Sequence, residues 1–539
     1  MKTRPPPKNR LDSELERALA LMDKERHLQA LDILLALHKL QPKHYLVAIN
    51  LGVTQLALGQ NEAGQRTLHA LYLSHPKDVK LLKLCARAYY KSNNFDISIK
   101  FLKRALNIDP LDYDTWQDLA HAAAADLKDV EALSYSMKAL ELRPTDPNAH
   151  CNLGAALLAV NRITEAGYCL ETALKLSPNH LAALSNLGTL ENQRGNYPEA
   201  VEKYEKCLEV MPHSDQQRSD LLFKMSFPLL SVGRVSEGWQ CYEHGFAPKT
   251  KMARTPNRQF SKPRWDGKSG PGSTLLIWRE QGIGDELRYS CAISEAAERT
   301  EKTIVECTDR LLPLFKRSFP NCEVRTQTYD PRTMRSPTED FTAQIPMASL
   351  MPIFRNSIQD FCRRGPHLLP CPSRVAEFRR RLSGKNKPLV GISWRSGNLS
   401  ASRNLNYSSL SDWSPILRSQ SFQFVNLQYG DCERELLEVE QALDIEIIRW
   451  SDLDLKNDLD GVAALTKALD YVVTAPTAVA EMTGGIGQRM LMFGAGGYYN
   501  LGTENYPFYS GCRFLRVSED APLSSRVDWI LETLTKELL

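Results

Sequence analysis

Histidine nearly disappears from the second half of this sequence. Of eleven histidines in 539 residues, only His367 lies beyond position 245. That scarcity argues against a histidine-based triad or a histidine-rich metal cluster there, and leaves general-base chemistry to a carboxylate. Long apolar runs are missing too, and none approaches the roughly 20 residues needed to span a bilayer. Charge of one sign is also lacking: 67 Lys and Arg face 64 Asp and Glu, a net +3, which argues against a general nucleic-acid binder. The twelve cysteines include no CxxC pair. Cys85, Cys151 and Cys169 fall on helical patterns, as reduced and buried thiols do. The chain therefore reads as soluble, reduced and cytoplasmic. Residues 1–10, "MKTRPPPKNR", read as a disordered basic arm and not as a secretory leader, because no apolar core follows them.

What is abundant is periodicity. Prolines stand at 42, 76, 110, 144, 178 and 212, a constant spacing of 34. Small residues keep the same beat at Ala30, Gly64, Ser98, Ala132, Ala166 and Ala200, as do Leu51, Cys85, Leu119, Leu153 and Leu187. The unit "AALSNLGTLENQRGNYPEAVEKYEKCLEVMP" resembles the tetratricopeptide repeat, a pair of antiparallel helices. The small residues let the paired helices approach, and Leu153 with Leu157, or Leu187 with Leu190, supplies the buried face. Such units stack into a solenoid, expected over residues 11–245, whose groove takes a segment of another protein. Asn152 and Asn186, at equivalent repeat positions, suit either hydrogen bonds to a bound peptide or a solvated surface.

After Gly245 the period stops. Residues 246–272 are rich in Pro, Gly, Lys and Arg and form a linker expected to lie on the next domain through Phe260 and Trp265. Strand and helix patterns then alternate. "TLLIW", "KTIVECT" and "CEVRTQ" are strands of a first half (273–370). "PLVGISW", "FQFVNLQYG", "IEIIRW", "YVVTAP" and "RMLMFG" are strands of a second half (371–539). Such alternation implies parallel, doubly wound sheets, with ligands at the carboxyl ends of the strands. The loops to watch are therefore "REQGIGD", "RSGNLSASRN", "YGD", "WSD" and "APTAVAEMTGG".

Those loops offer specific chemistry. Ser393, Arg395 and Arg403 sit where arginine suits bidentate phosphate contact, or where a basic loop is simply solvated. Thr477 opens a helix whose free N–H groups favour an anion, and Gly484 and Gly485 would let a ligand approach the backbone closely. The carboxylates available as a base are Glu280, Asp285, Glu286 and Glu481. No paired aspartate motif suggests a divalent metal.

In this order, "PRWDG" (263–267), "EQGIGDELRYS" (280–290), "VGISWRSGN" (390–398), "FVNLQYGD" (424–431) and "TAVAEMTGGIG" (477–487) resemble the C-terminal module of bacterial TPR-containing glycosyltransferases. That module is a GT-B fold, similar to heptosyltransferases and more remotely to eukaryotic O-GlcNAc transferase. The resemblance implies an α-solenoid followed by an α/β GT-B module, two Rossmann-like halves facing a cleft. It implies metal-independent, inverting transfer of a sugar from a nucleotide-sugar donor to a hydroxyl, with no further cofactor. Asp285 becomes the base, with Glu286 in reserve. The donor falls to Ser393, Arg395, Arg403, Gln428, Thr477, Glu481, Gly484 and Gly485. The architecture also resembles flagellin glycosyltransferases, which implies a flagellin Ser or Thr acceptor and a CMP-linked nonulosonic acid.

The sequence departs from that pattern at three places. Pro476 replaces an Asp, Glu481 replaces a His, and "AGGYYNLGTENY" follows "RMLMFG" in place of a Trp-Arg segment. These departures keep two alternatives open: a repeat adaptor with a non-catalytic transferase-like domain, or a transferase acting on a glycan or lipid.

Overall fold

The computed structural model describes residues 8–213, 217–247, 254–268, 270–361, 365–397, 406–517 and 522–539. It divides into two units, Met1–Leu187 and Gly188–Leu539, so the division falls inside the helix Leu181–Arg194.

The first unit is a run of helix pairs, and the 34-residue beat is a packing rule. One helix of a pair carries a small residue into which a side chain of its partner fits. A Cβ on Gly52 would lie 2.5 Å from the Leu68 side chain, and one on Gly154 2.7 Å from Leu170. The second unit repeats the contact at Gly188, 2.7 Å from Tyr204. Ala30, Ser98, Ala132 and Ala166 are buried at the complementary position. A side chain at Gly154 overpacks this contact, and Gly154→Val is expected to destabilise the intact chain by about 1–3 kcal/mol in urea unfolding.

A second 34-residue ladder lies at the helix starts: His44, Asp78, Asp112, Asp146 and His180. Asp78 accepts from the N–H of Leu81 at 3.0 Å and Asp146 from that of Asn148 at 2.8 Å, which caps each helix. Side chains one repeat earlier reach the same carboxylates. Tyr45 donates to Asp78 (2.6 Å), Lys83 to Asp112 (2.7 Å) and Tyr113 to Asp146 (2.8 Å). Burial pushes these carboxyls up, but the hydrogen bonds outweigh it and hold all three below the ordinary aspartate range. Depressed carboxyls contribute stability that is present above their unfolded value, near 4, and lost as pH falls through the folded one. Acid unfolding of the triple variant D78N/D112N/D146N, followed by helical circular dichroism, should therefore lose less stability between pH 5 and 3 than the parent does.

The second unit opens with the rest of the helix pairs, ending in Arg218–Ser231 and Val235–Tyr242. It continues into two parallel sheets. The first has order β3-β2-β1-β4, from β1 (Gly270–Trp278), β2 (Thr300–Cys307), β3 (Glu323–Thr326) and β4 (Ala343–Pro346). The second has order β6-β5-β7-β8-β9, from β5 (Leu389–Ser393), β6 (Gln423–Asn426), β7 (Tyr471–Thr474), β8 (Met490–Gly494) and β9 (Cys512–Arg516). One expected strand differs and two strands appear that the sequence pattern did not announce. "IEIIRW" makes only an isolated bridge, Val425 to Ile448. β4 arises inside a stretch that reads as loop. β9 follows a long connection, where a weak apolar pattern, "CRFLR", gains its place only by pairing with β8.

The last helix pair shares a core with the first sheet: Phe223, Leu230, Trp239 and Tyr242 pack in one cluster with Leu275, Ile277 and Leu287. The 246–272 segment adds Phe260 against Trp278 (5.6 Å between centroids) and Trp265 against Phe354 (6.2 Å). It also supplies two buried arginines. Arg254 bonds Glu280 and Glu243, and Arg258 bonds Glu306.

Candidate active site

β1 ends at Trp278, and "REQGIGD" turns the chain into the helix Ile283–Tyr289. The turn is sharp: Gln281 takes a left-handed φ of 57° and is tied by its N–H to the carbonyl of Thr255 at 2.5 Å. Backbone held in this sparsely populated region often accompanies function. Asp285 then lies in the first helical turn, where its carboxylate accepts the N–H of Gly282 at 3.2 Å and keeps 29% of its side-chain surface exposed. Arg288 lies 3.7 Å away, and the phenols of Tyr242, Tyr289 and Tyr498 are within electrostatic reach.

Glu286, the expected reserve base, turns the other way. Its carboxylate is enclosed, bonded by Arg279 at 2.7 Å and by the N–H of Thr308 at 2.9 Å. Burial pushes it up to about 6, with Arg279 partly offsetting that rise. An enclosed carboxylate has no path to an incoming hydroxyl, so Glu286 ties the helix to the end of β2 instead. Glu280 is likewise enclosed, accepting from Arg254 and from the N–H of Ala348 at 3.1 Å.

The second half brings the helix Ala478–Gly485 against this one. Thr477 caps it, accepting the N–H of Val479 at 3.2 Å. A Cβ at Gly284 would stand 3.8 Å from Glu481 Cγ and 3.9 Å from the backbone of Ala478, ordinary contact distances, so the two helix starts lie side by side there. Three donor assignments change here. Glu481 is 1% exposed and both its oxygens are occupied: Arg288 at 2.6 Å, Tyr506 at 2.8 Å and Tyr509 at 2.9 Å. Gly484 faces the Tyr509 ring, and Gly485 the Leu368 side chain. Their missing side chains make room for protein, not for a ligand.

The loop after β5 is organised by Gln428. Its Oε1 accepts from Ser393 Oγ (3.2 Å) and from the N–H groups of Trp394 and Arg395 (both 3.0 Å), while Nε2 donates to the carbonyl of Tyr429. Ser393 is fully buried by this arrangement. Arg395 is held by Glu435 at 3.1 Å and by the carbonyl of Asp431 at 2.8 Å. Arg403 lies outside the described residues. Below the clamp, at the carboxyl end of β6, opens a cavity of about 750 Å³ lined by Asn426, Gln428, Tyr429, Arg449, Trp450 and Lys456 among others. Trp450 rests on Phe378 (5.5 Å), and Arg449 is bonded to Glu433 and Glu440. Arg310 of the first half donates to the carbonyl of Lys456 at the cavity rim. The cavity thus joins the "YGD" and "WSD" loops.

Asn152 and Asn186 lie on equivalent first helices of their pairs, both half-buried, and Asn186 donates to Cys151 Sγ at 3.6 Å. His367 sits behind the 283–289 helix, bonded to the carbonyl of Leu287 and to Ser290, with burial lowering it to about 4. Sequence reasoning missed Arg254, Arg288, Tyr498, Tyr506, Tyr509 and Trp450. Only the tyrosine-rich "AGGYYNLGTENY", which holds Tyr498 and Tyr506 but not Tyr509, stood out by being out of pattern.

A tetratricopeptide-repeat family model matches residues 145–213. MamA MSR-1 C2 is similar over 31% of this chain and 97% of its own, at 18% identity and a TM-score of 0.29. Human Protein O-mannosyl-transferase TMTC3 is 25% identical over 161 residues, 26% of this chain and 18% of its own length. Protein FlbA of Caulobacter vibrioides is 31% identical over 440 residues, 79% of this chain and 73% of its own length. With that identity over most of both chains, this chain belongs to the family of Protein FlbA.

Proposed function

We propose that this protein is a protein O-glycosyltransferase of GT-B architecture, moving a sugar from a nucleotide-sugar to a Ser or Thr hydroxyl of an acceptor held by its repeats. The observation that carries this reading is the cavity of about 750 Å³ at the carboxyl end of a parallel sheet, the place and size for a nucleotide. The likeness to proteins named O-mannosyl-transferases supports sugar transfer to protein. Flagellin is the acceptor we put first and a CMP-linked nonulosonic acid the donor, both on the resemblance of the motifs.

In this reaction Asp285 takes the proton of the acceptor hydroxyl. The oxygen then attacks the anomeric carbon and the bond to the nucleotide phosphate breaks on the opposite side, inverting the centre. The start of the 478–485 helix offers its N–H groups to the departing phosphate, and no metal takes part. Intact-mass measurement of a co-expressed flagellin, with and without the enzyme, tests the reading: a discrete mass increase on Ser or Thr is expected, and an unchanged mass sinks it. Trp450→Ala should weaken nucleotide binding by about tenfold, since stacking on a base contributes about 1–3 kcal/mol. Titration calorimetry with CMP and UDP measures this.

One observation favours a second reading. Arg395 and Arg449 are both already bound to carboxylates, which fits a repeat adaptor with a non-catalytic domain. An adaptor binds acceptor but no nucleotide, so the same calorimetry separates the two.

A further inference from the structure

Arg288 is the cation closest to Asp285 on their shared helix, 3.7 Å away and nearly enclosed. Unbalanced, it would draw the Asp285 carboxylate into a tight ion pair, and a carboxylate so held is a poor acceptor of a substrate proton. The structure supplies a competing partner from the other half of the module. Glu481 takes Arg288 at 2.6 Å through Nη2 and at 3.2 Å through Nε. Tyr506 and Tyr509, from the connection between β8 and β9, donate to the same carboxylate and hold it in place. Tyr498 accepts from the remaining arm of Arg288 at 3.2 Å, and the Tyr499 ring covers the guanidinium at 4.5 Å. Nε and Nη2 are thereby committed to Glu481 and Nη1 to Tyr498, and Nη1 stays 3.7 Å from Asp285 Oδ1, beyond hydrogen-bond distance.

The same connection is anchored to the last helix pair. Leu501 is buried in the core with Leu230 and Trp239, the backbone of Leu501 and Gly502 lies against Gly233, and Tyr498 packs on Phe227 at 5.2 Å. The out-of-pattern tyrosine segment is thus what fixes the arginine. Among the described residues, the phenols of Tyr242, Tyr289 and Tyr498 also face Asp285.

We infer that Glu481 is a positioning residue for the base: it captures Arg288 across the interface between the two sheets and so leaves the Asp285 carboxylate free to accept the acceptor's proton. This rests on the transferase reading above. The test is steady-state transfer by the full chain. E481Q keeps the shape, with one tyrosine hydroxyl now accepting from the amide instead of donating, but frees the Arg288 charge. Its kcat should fall at least tenfold, with KM for donor and acceptor within twofold of the parent. The double variant E481Q/R288M removes both charges and should recover most of that loss. A merely structural role for Glu481 gives the opposite order, with the double variant no faster than the single one. That order, or E481Q at the parental rate, overturns the inference. If E481Q does not fold, the charge-balanced E481Q/R288M decides: it must transfer within threefold of the parent, and a larger loss overturns the inference. D285A distinguishes the two levels. If D285A transfers at the parental rate, the base assignment itself fails. If D285A is inactive while E481Q is unaffected, only the role of Glu481 fails.

Discussion

Asp285→Asn is expected to lower the transfer rate by about two to four orders of magnitude, the range that a positioned general base contributes. Asparagine can still accept the N–H of Gly282, so the helix start should keep its shape. The variant should therefore fold as the parent does and bind acceptor and nucleotide with unchanged affinity. Single-turnover transfer at saturating acceptor isolates the step. Glu286 cannot take over, because Arg279 and Thr308 occupy both of its oxygens. Asp285→Ala should be equally slow, with a small added loss of stability from the missing cap. A rate for D285N within threefold of the parent would remove Asp285 from the mechanism.

The second large effect concerns stability. Arg254 is fully buried and carries bonds to Glu280, Glu243 and Ser349. It joins the 254–268 segment to the last helix pair through Glu243 and to the end of β1 through Glu280. Burial pushes the Glu280 carboxyl up, and Arg254 is the main group opposing that rise. Removing the arginine leaves a buried carboxylate without its partner. Arg254→Ala is therefore expected to destabilise the second unit by about 3–5 kcal/mol, read as a lower urea midpoint of its transition. Lys100→Ala, which breaks an exposed pair with Asp96, is the control and should leave the midpoint unchanged. A midpoint for R254A equal to that of the control would mean that water or a rearranged cation replaces the pair.

The two residues also mark where sequence reasoning stops. Asp285 was legible because "GIGD" after an apolar strand confines it to a turn and a helix start, whatever the rest of the chain does. Arg254 was not, since a basic, proline-containing segment reads as a solvated linker until its neighbours are known. Gly484, Gly485 and Glu481 show the same limit from the other side. A glycine pair beside a helix start suits a ligand or a packed ring equally, and Tyr509 arrives from more than twenty residues away in sequence.

The sequence by itself determined the repeats and the strand–helix alternation, because both depend on contacts within one or two periods: a small residue facing a large one, a proline at each turn, an apolar run ending in glycine. Even the ladder of helix-starting aspartates is present in the 34-residue spacing. Only the tertiary structure decided what the charged residues do. A carboxylate is left open, caps a helix or becomes a buried counterion according to which cation reaches it, and that cation comes from the same turn in one case and from the other sheet's half in another. Arg279 encloses Glu286, Arg288 occupies Glu481 across the interface between the sheets, and Asp285 alone of the three keeps part of its surface open to solvent.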